Sequence, residues 1–247
     1  MTAPVFVVDS LGRLPGGMFV LDGPEGRHAV SVKRLRAGED VVLTDGRGRW
    51  AEGVVKAAEG KDRLVVMDLE SVHEEPVAEP RITVVQALPK GDRGELAVET
   101  MTEVGVDAIV PWAASRCITQ WKAERGAKAL AKWRATAREA GKQSRRVRFP
   151  EVAEAASSKQ VAALLAGAGF AGVLHESGEE PLATAELPAS GEIVLVVGPE
   201  GGVSPEELAL FEEAGARAYR LGPSVLRTST AGTAAAALLL GRTGRWS

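Results

Sequence analysis

Glu192-Ile-Val-Leu-Val-Val-Gly198-Pro199-Glu200-Gly201-Gly202-Val203-Ser204-Pro205-Glu206-Glu207 is the stretch on which the reading of the fold turns. Residues 192–197 are aliphatic without polar alternation, the pattern of a strand buried on both faces of a parallel sheet. A helix start follows. Ser204 suits the N-cap, Pro205 the first helical position, and Glu207 completes a capping box. Between strand and helix lies a glycine-rich turn, and in α/β proteins ligands bind beyond the carboxyl ends of strands. Gly198, Gly201 and Gly202 carry no side chains, so a ligand can approach the backbone there. No Gly-Lys-Ser/Thr follows, so this is not a Walker loop, and the spacing departs from Gly-x-Gly-x-x-Gly. Taken alone, the turn also fits an ordinary strand-to-helix connection.

A second turn of the same kind lies downstream. Leu221-Gly222-Pro223-Ser224-Val225-Leu226-Arg227-Thr228 joins a strand-like run at 217–221 to a helix expected at 230–240. Upstream, strands are expected at 82–87, 108–111 and 172–175, and helices at 95–104, 123–143 and 159–166. Alternation of this kind predicts a mostly parallel sheet with helices on its faces. Before residue 74 the texture is different. Short β-type runs at 5–8, 18–21, 41–44, 50–57 and 63–72, a helical piece at 28–35 and a hairpin signal at Asp45-Gly46-Arg47-Gly48 predict a small β barrel over 1–73. Glu74-Glu75-Pro76-Val77-Ala78-Glu79-Pro80 reads as the linker, leaving 80–247 to the α/β domain.

Composition excludes several classes. The 247 residues are 45% apolar, as in globular rather than disordered chains. With aromatics at 4%, the core must be built largely from Val, Leu, Ala and Ile. The single cysteine, Cys117, rules out an intrachain disulfide, and His28, His73 and His175 are scattered, so no Cys/His metal site is expected. Gly-x-Ser-x-Gly is absent, which removes the commonest hydrolase reading. No apolar run approaches the ~20 residues of a membrane span, and the first residues lack the pattern of a signal peptide, so a cytoplasmic protein is expected.

Net charge is −3, yet residues 121–148 hold ten basic residues against two acidic ones. Such local concentration suits a polyanion, although a solvated helix face gives the same pattern. Trp112, Trp121 and Trp133 could stack on bases, with Trp133 better suited to packing inside its helix.

Together these segments resemble the SPOUT class of methyltransferases, and more narrowly the RsmE family. Three blocks carry the resemblance. The first is His28-Ala-Val-Ser-Val-Lys33-Arg34-Leu-Arg36-Ala-Gly38 with Thr44–Gly48. The second includes Glu103-Val-Gly105-Val106, Pro111, Ser115-Arg116-Cys117, Trp133, Glu139-Ala140 and Gln143–Arg146 with Phe149-Pro150. The third is Val197–Ser204 with Leu221-Gly222 and Val225–Thr228. The resemblance implies a PUA-like β-barrel RNA-binding domain followed by a SPOUT domain whose C-terminal part forms a trefoil knot. It implies a homodimer acting on 16S rRNA in the 30S subunit, methylating N3 of a uridine with S-adenosylmethionine (SAM) and no metal. The cofactor residues it implies are His175, Glu176, Gly198, Pro199, Glu200, Gly201, Gly202, Leu221, Gly222, Val225, Leu226, Arg227 and Thr228.

Uracil N3–H is a weak acid, so methylation needs a cation to stabilise the developing anion and a base to take the proton. Arg227 and Arg116 are the candidates for the cation, Glu103 and Glu139 for the base. Structural ion pairs are the competing role for all four. Candidate phosphate contacts are Lys33, Arg34, Arg36 and Arg47 in the β domain and Lys132, Arg138, Lys142, Arg145 and Arg146 in the basic block. Three positions depart from the family pattern: Ser229 replaces an acid, Thr100 a lysine and Lys142 a glutamate. Another SPOUT activity, such as tRNA 2′-O-methylation, and a non-catalytic ribosome-assembly factor are the alternatives.

Overall fold

Alternating apolar residues in the first seventy positions form short strands in a computed structural model, which describes residues 3–12, 17–69 and 71–247. The chain divides into two compact units. The first comprises Met1–Val77 with Gly141–Phe149, and the second comprises Ala78–Ala140 with Pro150–Ser247.

In the first unit the strands are Val5–Val7 (β1), Phe19–Leu21 (β2), Asp40–Thr44 (β3), Arg49–Glu59 (β4), Arg63–Met67 (β5) and His73–Glu74 (β6). They pair in the order β1-β3-β4-β5-β2, with β6 on the start of β4. Ala51, Gly53 and Val55 of β4 point inward, while Glu52 and Lys56 face solvent. A register shift between Val55 and Ala57 bends β4, so that its first half pairs with β3 and its second with β5. Phe6, Leu11, Leu43, Leu64 and Val66 lie at the centre of this unit's core.

Asp45 closes the β3–β4 turn by accepting from the Arg47 and Arg49 amides at 2.7 and 3.2 Å. The helical piece expected at 28–35 starts earlier, as Gly23–Arg27 (α1) followed by a wider π-type turn over His28–Val32. Pro24 at the helix start favours this placement. Gly26 also permits it, because a Cβ there would overlap the carbonyls of Leu21 and Asp62. The strand expected at 63–72 ends at Met67, and position 70 lies outside the described residues.

Gly141–Phe149 was expected in the α/β domain, yet its bonds to the β domain are specific. The Phe149 amide donates to Gly46 O at 2.8 Å, Gly48 N to Val147 O at 3.0 Å, and Thr44 Oγ1 to Val147 O at 2.8 Å. The Phe149 ring fills the space that side chains at Gly46 and Gly141 would take.

The second unit is built from Arg81–Ala87 (β7), Arg93–Val104 (α2), Ala108–Trp112 (β8), Ala123–Gln143 (α3), Glu151–Val152 (β9), Ser158–Ala166 (α4), Phe170–Leu174 (β10), Glu180–Pro181 (β11), Glu192–Val197 (β12), Pro205–Glu213 (α5), Arg217–Arg220 (β13) and Thr228–Arg242 (α6). The last three residues of α3 belong to the first unit. The sheet runs β11-β13-β10-β12-β7-β8-β9, and all its pairs are parallel. β12 is central, paired with β10 on one side and β7 on the other, and its residues from Ile193 to Val197 are buried. The Ala-rich α6 is a core helix. Gly232 lets it lie against Met101 of α2 and Val84 of β7, and Ala235, Ala236, Leu239 and Leu240 are buried. Thr100, a departure from the family pattern, bonds Thr233 across the α2–α6 contact at 2.7 Å, and Ser229 is buried.

The expected capping box at Ser204 forms, with both reciprocal bonds. Glu207 does more than cap. Its carboxylate accepts from Ser115 N (2.8 Å), Ser115 Oγ (3.0 Å), Ser158 Oγ (2.8 Å) and Ser204 N (3.3 Å), tying α5 to the β8 loop and the start of α4. Burial pushes this carboxyl up, but the bonds from Ser115, Ser158 and Ser204 outweigh burial and hold it below the ordinary value. The sign follows from linkage. A depressed folded-state pKa contributes stability that is complete above the unfolded value of about 4.3 and is lost as pH falls through the folded value. Glu207→Gln is therefore expected to cost about 1–2 kcal/mol at pH 7, with the difference from the parent shrinking toward pH 3. Denaturant titrations at the two pH values check this.

Candidate functional site

Register sets the site. Leu174 pairs with Val197 across β10–β12 and with Tyr219 across β10–β13, so three strands end level at one edge of the sheet. The segments that follow them, starting at His175, Gly198 and Leu221, emerge side by side, as expected at the carboxyl edge of a parallel sheet. They line a cleft of about 580 Å3. His175, Glu176, Gly198, Pro199, Glu200, Gly201, Gly202, Leu221, Gly222, Val225, Leu226, Arg227 and Thr228 all line it, together with Arg93, Arg116 and Arg220.

Each loop is held by identifiable contacts. Gly202 has φ 73°, a left-handed conformation that favours glycine, and its amide donates to Pro199 O at 2.9 Å. A Cβ on Gly198 would stand 2.9 Å from Val203 Cγ2. Thr228 Oγ1 donates to Gly198 O at 2.8 Å and accepts from the buried Gln86 Nε2 at 3.0 Å. Its hydroxyl thus joins the two loops. His175 N donates to Tyr219 O at 3.0 Å, and the Ser177 amide donates to His175 Nδ1 at 3.2 Å. The same Nδ1 lies 2.7 Å from Ser177 Oγ, so Ser177 holds the ring in place.

Glu200 turns toward the β7 side, accepting from Lys90 N at 3.1 Å and pairing with Arg93 at 3.5 Å. Arg116 Nη1 donates to Gly201 O at 3.2 Å. Arg227 occupies the N-cap of α6 through its backbone, without a side-chain cap bond.

The four candidates for chemistry divide two and two. Arg227 and Arg116 line the cleft. Glu103 and Glu139 are exposed and do not. The reason is geometric. α2 starts just past the carboxyl end of β7 and runs back along the sheet, so Glu103, near its end, is about 15 Å from that edge at 1.5 Å per residue. Glu139 lies near the end of the still longer α3 and is displaced in the same way.

The basic candidates also separate. Arg34, Arg36 and Arg47 are exposed in the first unit, as is Lys33. Lys132 pairs with Glu95 at 2.9 Å, and Arg134 of the same helix pairs with Glu154 at 2.9 Å. Arg138 is exposed and Arg146 half-buried, and each has its own partner. Arg145 donates to Ala3 O at 2.6 Å. Lys142 is a correction: it is buried, with Nζ 3.0 Å from Glu25 Oε1, so it is not placed to meet phosphate. Trp112 and Trp133 are buried too, Trp133 edge-on to Trp121 at 5.0 Å, which removes both from base stacking.

Sequence reasoning missed Arg93, Arg220 and Gln86. A signal existed for Arg93, since Leu88-Pro89-Lys90-Gly91-Asp92-Arg93 is a third strand–glycine turn–helix at the same edge. Among the described residues no cluster of His, Cys, Asp and Glu could hold a metal ion, and no helix is long and apolar enough to cross a membrane.

Comparison with known proteins gives a consistent result. The RNA methyltransferase domain family matches residues 76–240, and the RNA methyltransferase PUA domain family matches residues 21–67. Ribosomal RNA small subunit methyltransferase E of Mycobacterium tuberculosis is 45% identical over 251 residues, covering 100% of this chain and 94% of its own. Its Bacillus subtilis counterpart is 27% identical, covering 86% of each. The Neisseria gonorrhoeae structure of that name, bound to S-adenosyl methionine, superposes with TM-score 0.84 at 31% identity, over 98% of both chains. A Legionella pneumophila methyltransferase in complex with bound SAM superposes with TM-score 0.86 at 27% identity, again over 98% of both.

Proposed function

We propose, for a chain that belongs to the ribosomal RNA small subunit methyltransferase E family, that it methylates N3 of a uridine in 16S rRNA with SAM as donor. The observation that carries the reading is the edge where three loops meet, with side-chain-free backbone at Gly198, Gly201, Gly202 and Gly222.

The cleft suits SAM in size and lining. Small-molecule sites occupy roughly 300–1,000 Å3, and this one offers about 580 Å3. Leu174, Leu221, Leu226 and Ala231 supply apolar wall for a nucleoside, and the glycine loops supply backbone donors and acceptors. When bound, SAM supplies a methyl group already activated on a sulfonium. The chain's own task is to bind both reactants in line and to help N3 lose its proton.

Arg227 stands at the cleft wall and stabilises the negative charge that develops on the uracil ring. Arg116 lines the same cleft, held to Gly201 O. Glu176 and Glu200 are the carboxylates lining the cleft, and Glu200 is engaged by Lys90 N and Arg93. Glu103 and Glu139 retain the base role only if a partner subunit presents them. The protein acts as a cytoplasmic homodimer on the 30S subunit, its C-terminal chain threaded as the trefoil knot of the SPOUT class.

The test is transfer of labelled methyl from SAM to 30S subunits lacking their own modification, with naked 16S rRNA and tRNA in parallel, followed by nucleoside analysis. 3-Methyluridine in 16S rRNA is expected. Label on tRNA ribose, or no label with SAM still bound, overturns the reading.

A further inference from the structure

The charge on the cleft wall exceeds what the cofactor requires. Arg93, Arg116, Arg220 and Arg227 line it against Glu176 and Glu200. SAM carries an ammonium, a carboxylate and a sulfonium, and is itself a net cation. Four guanidiniums against two carboxylates leave positive charge that SAM, itself a cation, does not offset and that suits an anion entering with it.

Sheet order shows which arginines are surplus. The cofactor segments follow β10, β12 and β13. Arg93 and Arg116 follow β7 and β8, on the other side of β12. The cleft thus has a cofactor side and an opposite side that carries Arg93 and Arg116, with Glu200 turned toward Arg93. Each of these two arginines is anchored to the glycine loop and still carries free donors. Arg116 spends one N–H on Gly201 O at 3.2 Å, and Arg93 is steadied by Glu200 at 3.5 Å while its side chain remains 41% exposed. A guanidinium has five N–H donors in a planar fork suited to phosphate oxygens, so most of each fork remains available.

We propose that Arg93 and Arg116 form a phosphate clamp that grips the acceptor RNA strand beside the target nucleotide. The inference rests on the methyltransferase reading above and adds to it the place where the acceptor backbone lies. Because both arginines hold the same 198–202 loop that borders the cofactor side, the clamp also fixes the acceptor relative to the donor.

The experiment compares the unaltered protein with Arg93→Gln, Arg116→Gln and the double variant. SAM affinity is measured by calorimetry, and binding of a 16S rRNA fragment is measured as a function of salt. Methyl transfer is followed alongside, and thermal melting confirms folding. The expected result is SAM affinity within about twofold of the parent and RNA affinity lower by roughly tenfold per arginine. The slope of log K against log salt should also be shallower by about 0.7–0.9 per arginine. Arg116→Lys should restore the slope, since it keeps the charge, while recovering only part of the affinity. Unchanged RNA slopes in variants of an active parent overturn the clamp alone. Loss of SAM binding in step with RNA binding also overturns it, since that places the arginines on the cofactor. A parent that transfers no methyl to rRNA overturns the underlying reading, and the clamp with it.

Discussion

Arg227→Ala is expected to lower the single-turnover rate of methyl transfer at saturating SAM by about 10²–10³-fold, the cost of removing one preorganised group that stabilises developing charge. The fold should survive. Arg227 caps α6 through its carbonyl, which accepts from the Thr230 and Ala231 amides at 2.9 Å each, and its side chain makes no cap bond. Alanine supplies the same carbonyl. The pH profile gives a second check. Without the guanidinium, the uracil anion must form unaided, so the variant's rate should climb further into the alkaline range than the parent's. Arg227→Lys should recover part of the rate, because charge matters more here than the fork. A parent-like rate in Arg227→Ala would refute the assignment.

Lys142→Ala has an equally definite expectation, in stability rather than in turnover. Lys142 and Glu25 form an ion pair whose side chains are 4% and 13% exposed. Glu25 also approaches the Val7 amide, at 3.4 Å. Removing one member of such a pair leaves a desolvated charge and typically costs 3–5 kcal/mol. Chemical denaturation followed by a probe in the first unit should show a loss of that size, while the salt dependence of RNA binding stays unchanged. A shallower RNA salt slope with unaltered stability would return Lys142 to the phosphate contacts.

Glycine loops made the site readable from sequence. The 192–207 segment is announced locally by an aliphatic run, a glycine turn and a cap, and 217–232 by a strand-like run and a Gly-Pro turn, whereas His175 is reached through the family resemblance alone. The chemistry-bearing carboxylates were a different matter. Glu103 and Glu139 stand inside family-like words, but their distance from the cleft depends on helix direction and length. Pairing within the basic block was hidden for a related reason. Helical spacing marks a charged face without revealing that Glu95, Glu154 and Glu25 meet Lys132, Arg134 and Lys142 from distant parts of the chain. Thr228 lines the cleft where it was expected, but the bridge its hydroxyl makes between Gln86 and Gly198 O depends on strand order and was not legible.

Gly141–Phe149 completes the first unit from a point more than sixty residues beyond Val77. During synthesis, the β strands therefore emerge before the backbone that Gly46 and Gly48 bind and before the ring that seals Gly46. At roughly 5–20 residues per second, that interval lasts several seconds. The nascent β domain must wait for the long helix to leave the ribosome before it can close. A fragment cut at the linker would be deprived of the same segment permanently, exposing the Thr44–Gly48 turn and leaving Glu25 without its lysine.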